Sequence, residues 1–272
     1  MKEIHPAALT VAGSDSGGNA GVQADLRAFH AYNVHGCTVF TALTAQNPSG
    51  VSAIHVAPPD FVAAQLDAVL GVYDIRALKT GMLADAAVVE AVADRLAAHP
   101  EIAKVIDPVM IATSGAKLLP DGAIDVVTTR LLPLATLITP NLPEAEILAG
   151  EIGAGRTADV DRAKHLAAKI ADRYGCATLV KGGHGVNAAA VDVLATPDAS
   201  GRFEEFTAPW IPSPVSTHGT GCSLAAALAA ELALGATLPD AVRGAKEYVH
   251  QAIANSYFVG DDCGVLGFVH RR

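Results

Sequence analysis

The chain has 272 residues, 51% of them hydrophobic but only 5% aromatic, which fits one large α/β domain of Ala-rich helices around a Val/Ile/Leu sheet. A net charge of −9 with no long basic block argues against nucleic acid as the main partner, yet leaves room for a small anion held by backbone dipoles and one or two lysines. Four widely spaced cysteines, Cys37, Cys176, Cys222 and Cys263, form no C-x-x-C pair, so a disulfide framework or zinc site is not expected and a reducing cytoplasm is.

The first residues, Met-Lys-Glu-Ile-His-Pro, do not read as a signal peptide. The most apolar stretch, 224–234, is short and carries Glu231, so it reads as a core helix and no membrane span is expected. Residues 8–14 predict a buried strand running into Gly13. Asp15-Ser-Gly-Gly-Asn-Ala-Gly21 follows as a glycine-rich turn, and the spacing of Val22, Leu26 and Phe29 predicts a helix to about residue 32. The turn lacks the G-x-G-x-x-G spacing of a dinucleotide-binding loop. Asp25 fits either a polar ligand at this loop or a first-turn carboxylate favoured by the helix dipole.

Residues 37–45 are β-rich and end in the turn Gln46-Asn47-Pro-Ser-Gly50. Residues 51–56 alternate like an exposed edge strand. Helices are predicted over 61–72 and 85–98, with a short strand at 75–79 closed by Thr80-Gly-Met82 and a buried one at 104–107. A helix over 123–132 and a strand over 136–139 come next. Asn141 with Glu144 three residues later reads as a capping box, and Gly150 ends that helix. Then follow a helix over 157–174, a strand over 177–180, the loop Lys181-Gly-Gly-His184 and a hairpin over 186–211 with its tip near Asp198 and Gly201. A last helix is expected over 237–257, with Thr237, Pro239 and Asp240 in cap positions.

Alternating strands and helices imply a mostly parallel sheet covered on both faces, in one domain spanning 1–272. Ligands of open parallel sheets sit beyond the C-terminal strand ends, where the Gly13, Gln46, Thr80, Asp107, Asn141 and Lys181 segments all fall. The stretch Ser216-Thr-His-Gly-Thr-Gly-Cys222 is the organising feature. Its glycines admit close backbone approach, and the first helical turn would offer free N–H groups to a phosphate. Phosphoryl transfer needs such a cradle, a metal and a group to take the acceptor's proton. Lys181 would add charge, and Asp107 and Glu144 are hard oxygen donors suited to magnesium.

There is no G-x-x-x-x-G-K-[ST], which excludes a P-loop enzyme. Cys222 is either a small core hydrophobe or, at a helix N-terminus, a thiol with depressed pKa that acts as base or nucleophile. A nucleophile would want a histidine partner, and His218 is near in sequence; that histidine equally fits plain loop structure.

Seven motifs occur in order: Ala12-Gly-Ser-Asp-Ser-Gly-Gly-Asn-Ala-Gly-Val-Gln-Ala-Asp25, Thr41-Ala-Leu-Thr-Ala-Gln-Asn47, Lys79-Thr-Gly-Met82, Asp107-Pro-Val-Met110, Thr139-Pro-Asn-Leu-Pro-Glu144, Val180-Lys-Gly-Gly-His184 and His218-Gly-Thr-Gly-Cys222. Together they resemble the hydroxymethylpyrimidine/phosphomethylpyrimidine kinases of thiamine biosynthesis, in the ribokinase-like superfamily. The resemblance implies a three-layer αβα sandwich and ATP-dependent phosphorylation of a pyrimidine alcohol and then of its monophosphate. It implies Cys222 as the base and the N–H groups of Gly219, Thr220, Gly221 and Cys222 as an anion hole. Gln46, Gly13, Asp25, Met82 and Val109 would contact the pyrimidine. Asn141, Glu144 and Lys181 would meet the nucleotide, and Asp107 with Glu144 the magnesium. A homodimer with 51–56 as a flap or subunit contact is implied as well.

Two positions depart from the family pattern: Asn19, where glycine is common, and Pro48 after the Gln-Asn pair. The alternatives are a pyridoxal or pyridoxine kinase on the same scaffold, a silent pyrimidine sensor, and a transferase working through a covalent Cys222 adduct.

Overall fold

Buried Val, Ile, Leu and Ala residues form short strands that divide their side chains between two helical layers. The computed structural model describes residues 4–48, 50–110, 120–152, 160–182, 189–197 and 203–267. In order these form β1 (Ala7–Ala12), α1 (Gly21–Ala31), β2 (His35–Phe40), β3 (Ala42–Asn47), β4 (Gly50–Val56), α2 (Pro59–Leu70), β5 (Ile75–Thr80), α3 (Ala86–Ala97), β6 (Ala103–Ile106) and α4 (Asp121–Val126). There follow β7 (Leu137–Ile138), α5 (Leu142–Ala149), α6 (Val160–Tyr174), β8 (Ala177–Val180), β9 (Ala189–Ala195), β10 (Phe203–Pro209), α7 (Thr220–Ala233), α8 (Leu238–Ala254), β11 (Tyr257–Gly260) and β12 (Cys263–Val265).

Eight strands make the central sheet in the order β10-β9-β8-β7-β6-β5-β1-β2. From β8 to β2 all neighbours are parallel, and β9 and β10 add antiparallel strands at one edge. Side chains alternate across the pleat. Leu9, Val11, Leu78, Ile106, Ile138 and Val180 point to a core with α2, α3, α5 and α6, whereas Ala8, Ala77, Val105, Leu137 and Leu179 point to one with α1, α7 and α8. Small residues let α7 lie close on the sheet: Ala225 to Ala230 are fully buried. The expected αβα layering is therefore observed. No helix among the described residues is long and apolar enough to cross a membrane.

Local signals set most boundaries. Asp85 caps α3 through Val88 N–H at 2.8 Å, and Thr237 caps α8. Asn141 and Glu144 form the reciprocal capping box of α5.

Four expectations need correction. The 37–45 run is two strands, because Thr41 turns out of the main sheet: its N–H donates to Ala12 O at 3.1 Å and its Oγ1 to Met82 O at 2.6 Å. Gln46 and Asn47 are not turn residues but the end of β3, which pairs with β4 in a separate two-stranded sheet. The 123–132 helix starts at Asp121 and passes into a π-helical turn and a 3₁₀ turn at Pro133. Here Thr128 and Thr129 hydroxyls both donate to Asp125 O and compete with the helical ladder. The last helix ends at Ala254, and Tyr257 belongs to β11, which pairs with β12 across the Asp261-Asp262 turn. Residues 157–159 of the expected 157–174 helix, Gly183 and His184 of the lysine loop, the first residues of the 186–211 hairpin with Asp198 and Gly201 at its tip, and 268–272 lie outside the described residues.

Candidate active site

The parallel strands deliver their C-terminal ends to one cleft. Its walls include Gly13, Ser14 and Asp15 after β1, Thr44 and Gln46 on β3, Lys79 on β5 with Met82 beyond it, Asp107 and Val109 after β6, Asn141 and Glu144 at α5, Lys181 after β8, and His218, Gly219, Gly221 and Cys222 at α7.

The α7 start is held by close contact. Gly219 has φ +90°, and a Cβ there would stand 1.8 Å from Asn19 O, so only glycine fits this left-handed N-cap against the first loop. Asn19 thus meets Gly219 through its backbone, and it does not line the cleft. Among the described residues no hydrogen bond takes up the N–H of Gly221 or Cys222, as the first turn of a helix requires. Thr220 is a correction. Its N–H turns back toward Thr217 O at 3.4 Å and its Oγ1 donates to the same oxygen at 3.0 Å, and the residue does not line the cleft. Gly219, Gly221 and Cys222 are the residues of this motif that line the cleft at the start of α7.

The first loop is shaped by Asp15. Its Oδ1 accepts Gly17 N–H at 2.8 Å, and its Oδ2 accepts Asn19 and Ala20 N–H at 2.9 and 2.8 Å. Burial works against the charge, but His218 and these N–H groups outweigh it and hold the carboxyl below its usual range. His218 Nε2 lies 3.7 Å from Asp15 Oδ2, which sets the His218 ring against the first loop. Ser16 ties the same loop to β3. It donates to Gln46 O at 2.7 Å and accepts Gln46 N–H at 2.8 Å, and the Gln46 side-chain oxygen meets Thr44 Oγ1 at 3.3 Å.

Asp25 is neither a ligand contact nor a first-turn residue. It lies past the first turn of α1, is fully buried and does not line the cleft. Its oxygens accept Lys79 Nζ at 3.0 and 2.8 Å and Thr10 Oγ1 at 2.6 Å. Burial pushes its carboxyl up, and Lys79 with Thr10 opposes this. For Lys79, burial disfavours the charge, but Asp25 more than compensates and the ammonium stays protonated.

On the opposite side, Asp107 Oδ1 accepts Lys181 Nζ at 2.8 Å and Thr139 Oγ1 at 3.0 Å. Asn141 and Glu144 exchange two 2.9 Å bonds through N–H to Oε2 and N–H to Oδ1. Burial, reinforced by Asp107 against the pull of Lys181, pushes Glu144 up to about 7. Burial also weighs against the Lys181 charge, but Asp107 and Glu144 hold its ammonium above the ordinary value.

Cys222 departs from expectation as well. Burial pushes its thiol above the usual range despite the helix start; Lys79 is the main influence in the other direction, joined by Gly21 N–H.

Lys79, Asp15 and Ser16 were not singled out from the sequence. Asp before Gly-Gly is a recognisable turn signal, whereas nothing local marks a lysine inside a buried strand as part of a cleft.

The family model described as phosphomethylpyrimidine kinase matches residues 15–267. The hydroxymethylpyrimidine/phosphomethylpyrimidine kinase of Escherichia coli is 44% identical over 99% of both chains. The thiamine biosynthesis bifunctional protein of Geobacter sulfurreducens is 45% identical over 96% of this chain, which spans only 52% of that longer protein. Among solved structures, an ADP complex of Bacillus subtilis pyridoxal kinase has a TM-score of 0.87 at 34% identity, covering 98% of each chain.

Proposed function

Since the chain belongs to the phosphomethylpyrimidine kinase family, we propose that it transfers the γ-phosphoryl group of ATP to 4-amino-5-hydroxymethyl-2-methylpyrimidine and then to the monophosphate formed. The observation that carries this reading is the cleft itself. A thiol at an open helix start, two side-chain amides, three carboxylates and two lysines converge there from separate segments.

Gln46 presents a donor and an acceptor to the aminopyrimidine edge. Gly13 gives backbone-close access, and Met82 and Val109 supply apolar walls. The hydroxymethyl group lies toward Cys222, whose thiolate takes its proton as the alcohol oxygen attacks the γ-phosphorus and the bond to the β-phosphate oxygen breaks, releasing ADP. Gly219, Gly221 and Cys222 N–H groups receive the transferring phosphoryl oxygens. Asn141, Glu144 and Lys181 face the nucleotide phosphates.

Asp107 and Glu144 would hold magnesium. Asp107 Oδ1 is committed to Lys181 and Thr139, so Oδ2 is the oxygen left to a cation. No group of three or more metal-ligating side chains occurs among the described residues. Two carboxylates fit an ion that keeps water and phosphate oxygens as its other ligands. Bound there, magnesium neutralises charge on the phosphates.

In this reading residues 1–272 act as one kinase domain in the cytoplasm. Two copies pair through β3 and β4, where Leu43 and Ile54 are 54% and 44% exposed, and the same hairpin closes over the bound pyrimidine.

The likeness to a pyridoxal kinase structure supports a second reading, phosphorylation of pyridoxine or pyridoxal. One product assay separates the two. Magnesium-ATP is incubated with the hydroxymethylpyrimidine or with pyridoxine, and products are identified by mass. A pyrimidine monophosphate followed by a diphosphate is the expected result. Phosphate on pyridoxine alone would move the protein to vitamin B6 substrates, and ATP-independent binding alone would make it a sensor. A lasting adduct on Cys222 would instead indicate covalent transfer.

A further inference from the structure

At the cleft wall lies a charged pair that the proposed reaction does not use. Lys79 and Asp25 are both fully buried. Burying two charges costs free energy that apolar residues of similar volume would avoid. Lys79 lines the cleft while Asp25 lies behind it. Two Lys79 Nζ bonds go to the two oxygens of Asp25. An ammonium has three donors, and among the described residues the third has no partner. Gly81 makes room for the amine: a Cβ there would stand 2.8 Å from Nζ.

We propose that Lys79, held by Asp25, is the positioning residue that makes Cys222 usable as a base: its ammonium lines the same cleft as the Cys222 sulfur and stabilises the thiolate. The idea rests on the reading of Cys222 as proton acceptor. A base must give up its own proton first, and this thiol sits where burial opposes ionisation. The charged groups around it are Lys79 on β5, Asp25 on α1, Asp107 and Lys181 at the ends of β6 and β8, and Asp15, Glu144 and His218 on the walls. Lys181 is engaged by Asp107 at 2.8 Å. Asp25 and Asp107 both disfavour the thiolate, and Lys79 is the group that favours it most.

The pair therefore predicts effects of opposite sign. Losing Lys79 raises the pH at which Cys222 ionises, and losing the Asp25 charge lowers it. The test follows iodoacetamide alkylation of Cys222 against pH, by peptide mass spectrometry on the ligand-free protein. Lys79→Met, Asp25→Asn and the double variant are compared with the parent.

Lys79→Met is expected to move the profile about one pH unit to the alkaline side and to lower kcat on the order of tenfold with little change in KM. Asp25→Asn is expected to move it toward acid. The double variant removes both charges and so guards against misfolding; its profile should lie alkaline of the parent but short of Lys79→Met. Equal profiles, or shifts of the same sign in both single variants, would overturn the proposal, as would an unmoved double variant should the single ones not fold. The alkylation profile needs no turnover. A parent protein that phosphorylates nothing would therefore sink the kinase reading, while the effect of Lys79 on the Cys222 thiol would still be read separately.

Discussion

At Asp15 a single carboxylate gathers three backbone N–H groups and faces His218, and so fixes the loop against which Gly219 rests. Its pKa is held low in the folded state, so it adds stability above the ordinary carboxylate range. That stability is lost as pH falls through the lowered value. Asp15→Asn, which leaves part of these donors unpaired, should cost about 1–3 kcal/mol at neutral pH. Urea midpoints of parent and variant should converge below about pH 4; a gap of constant size would assign the loop to other contacts. The place of Gln46 at the cleft was legible in the sequence because a short motif carries it. Lys79 was not, since its meaning depends on Asp25, which is 54 residues away in sequence and 2.8 Å away in space. For Cys222 the sequence offers both a small buried residue and an activated thiol at a helix start, and which of the two effects is larger depends on packing that no local signal carries.

Helix ends were the most readable elements, because their signals are local. Asp85, Asn141 and Thr237 all cap the helices they precede. At α5 the capping box and the candidate metal site share one side chain, so the two readings of Glu144 are compatible. Substitution can separate them. Glu144→Gln keeps an N3 acceptor for Asn141 N–H and should leave Tm nearly unchanged while abolishing magnesium-nucleotide binding, read by calorimetric titration. Glu144→Ala should lose both, with a stability cost of about 0.5–2 kcal/mol. Binding retained by the Gln variant would remove Glu144 from the metal site. Elements that depend on distant partners were harder to read. Thr41 ends β2 because Ala12 and Met82 hold it, and β11 exists only by pairing with β12. The Tyr-Phe-Val run of β11 reads equally well as more helix.

For the whole molecule, alternation of strands and helices sufficed to place the site, since parallel strands send all their C-terminal ends to one edge. The strand order was not readable, and it decides which ends become neighbours. β5 lies between β1 and β6 in the sheet, which brings Lys79 and Asp107 to the same cleft as the first loop and the start of α7. The cleft thus draws on segments from Gly13 to Cys222 and does not exist in the unfolded chain. Ligands that need all of them must stabilise the fold by mass action. Magnesium with a non-hydrolysable ATP analogue, at a hundred times its Kd, should add about 2.7 kcal/mol. For a domain of this size that corresponds to a Tm rise of roughly 5–10 °C, measured by differential scanning calorimetry. The hydroxymethylpyrimidine should raise Tm further when added with the analogue, because in the proposed arrangement it would contact the first loop and β3 while the nucleotide would contact α5 and β8. A rise with the nucleotide that pyridoxine augments and the pyrimidine does not would assign the Gln46 side of the cleft to the pyridine alcohols.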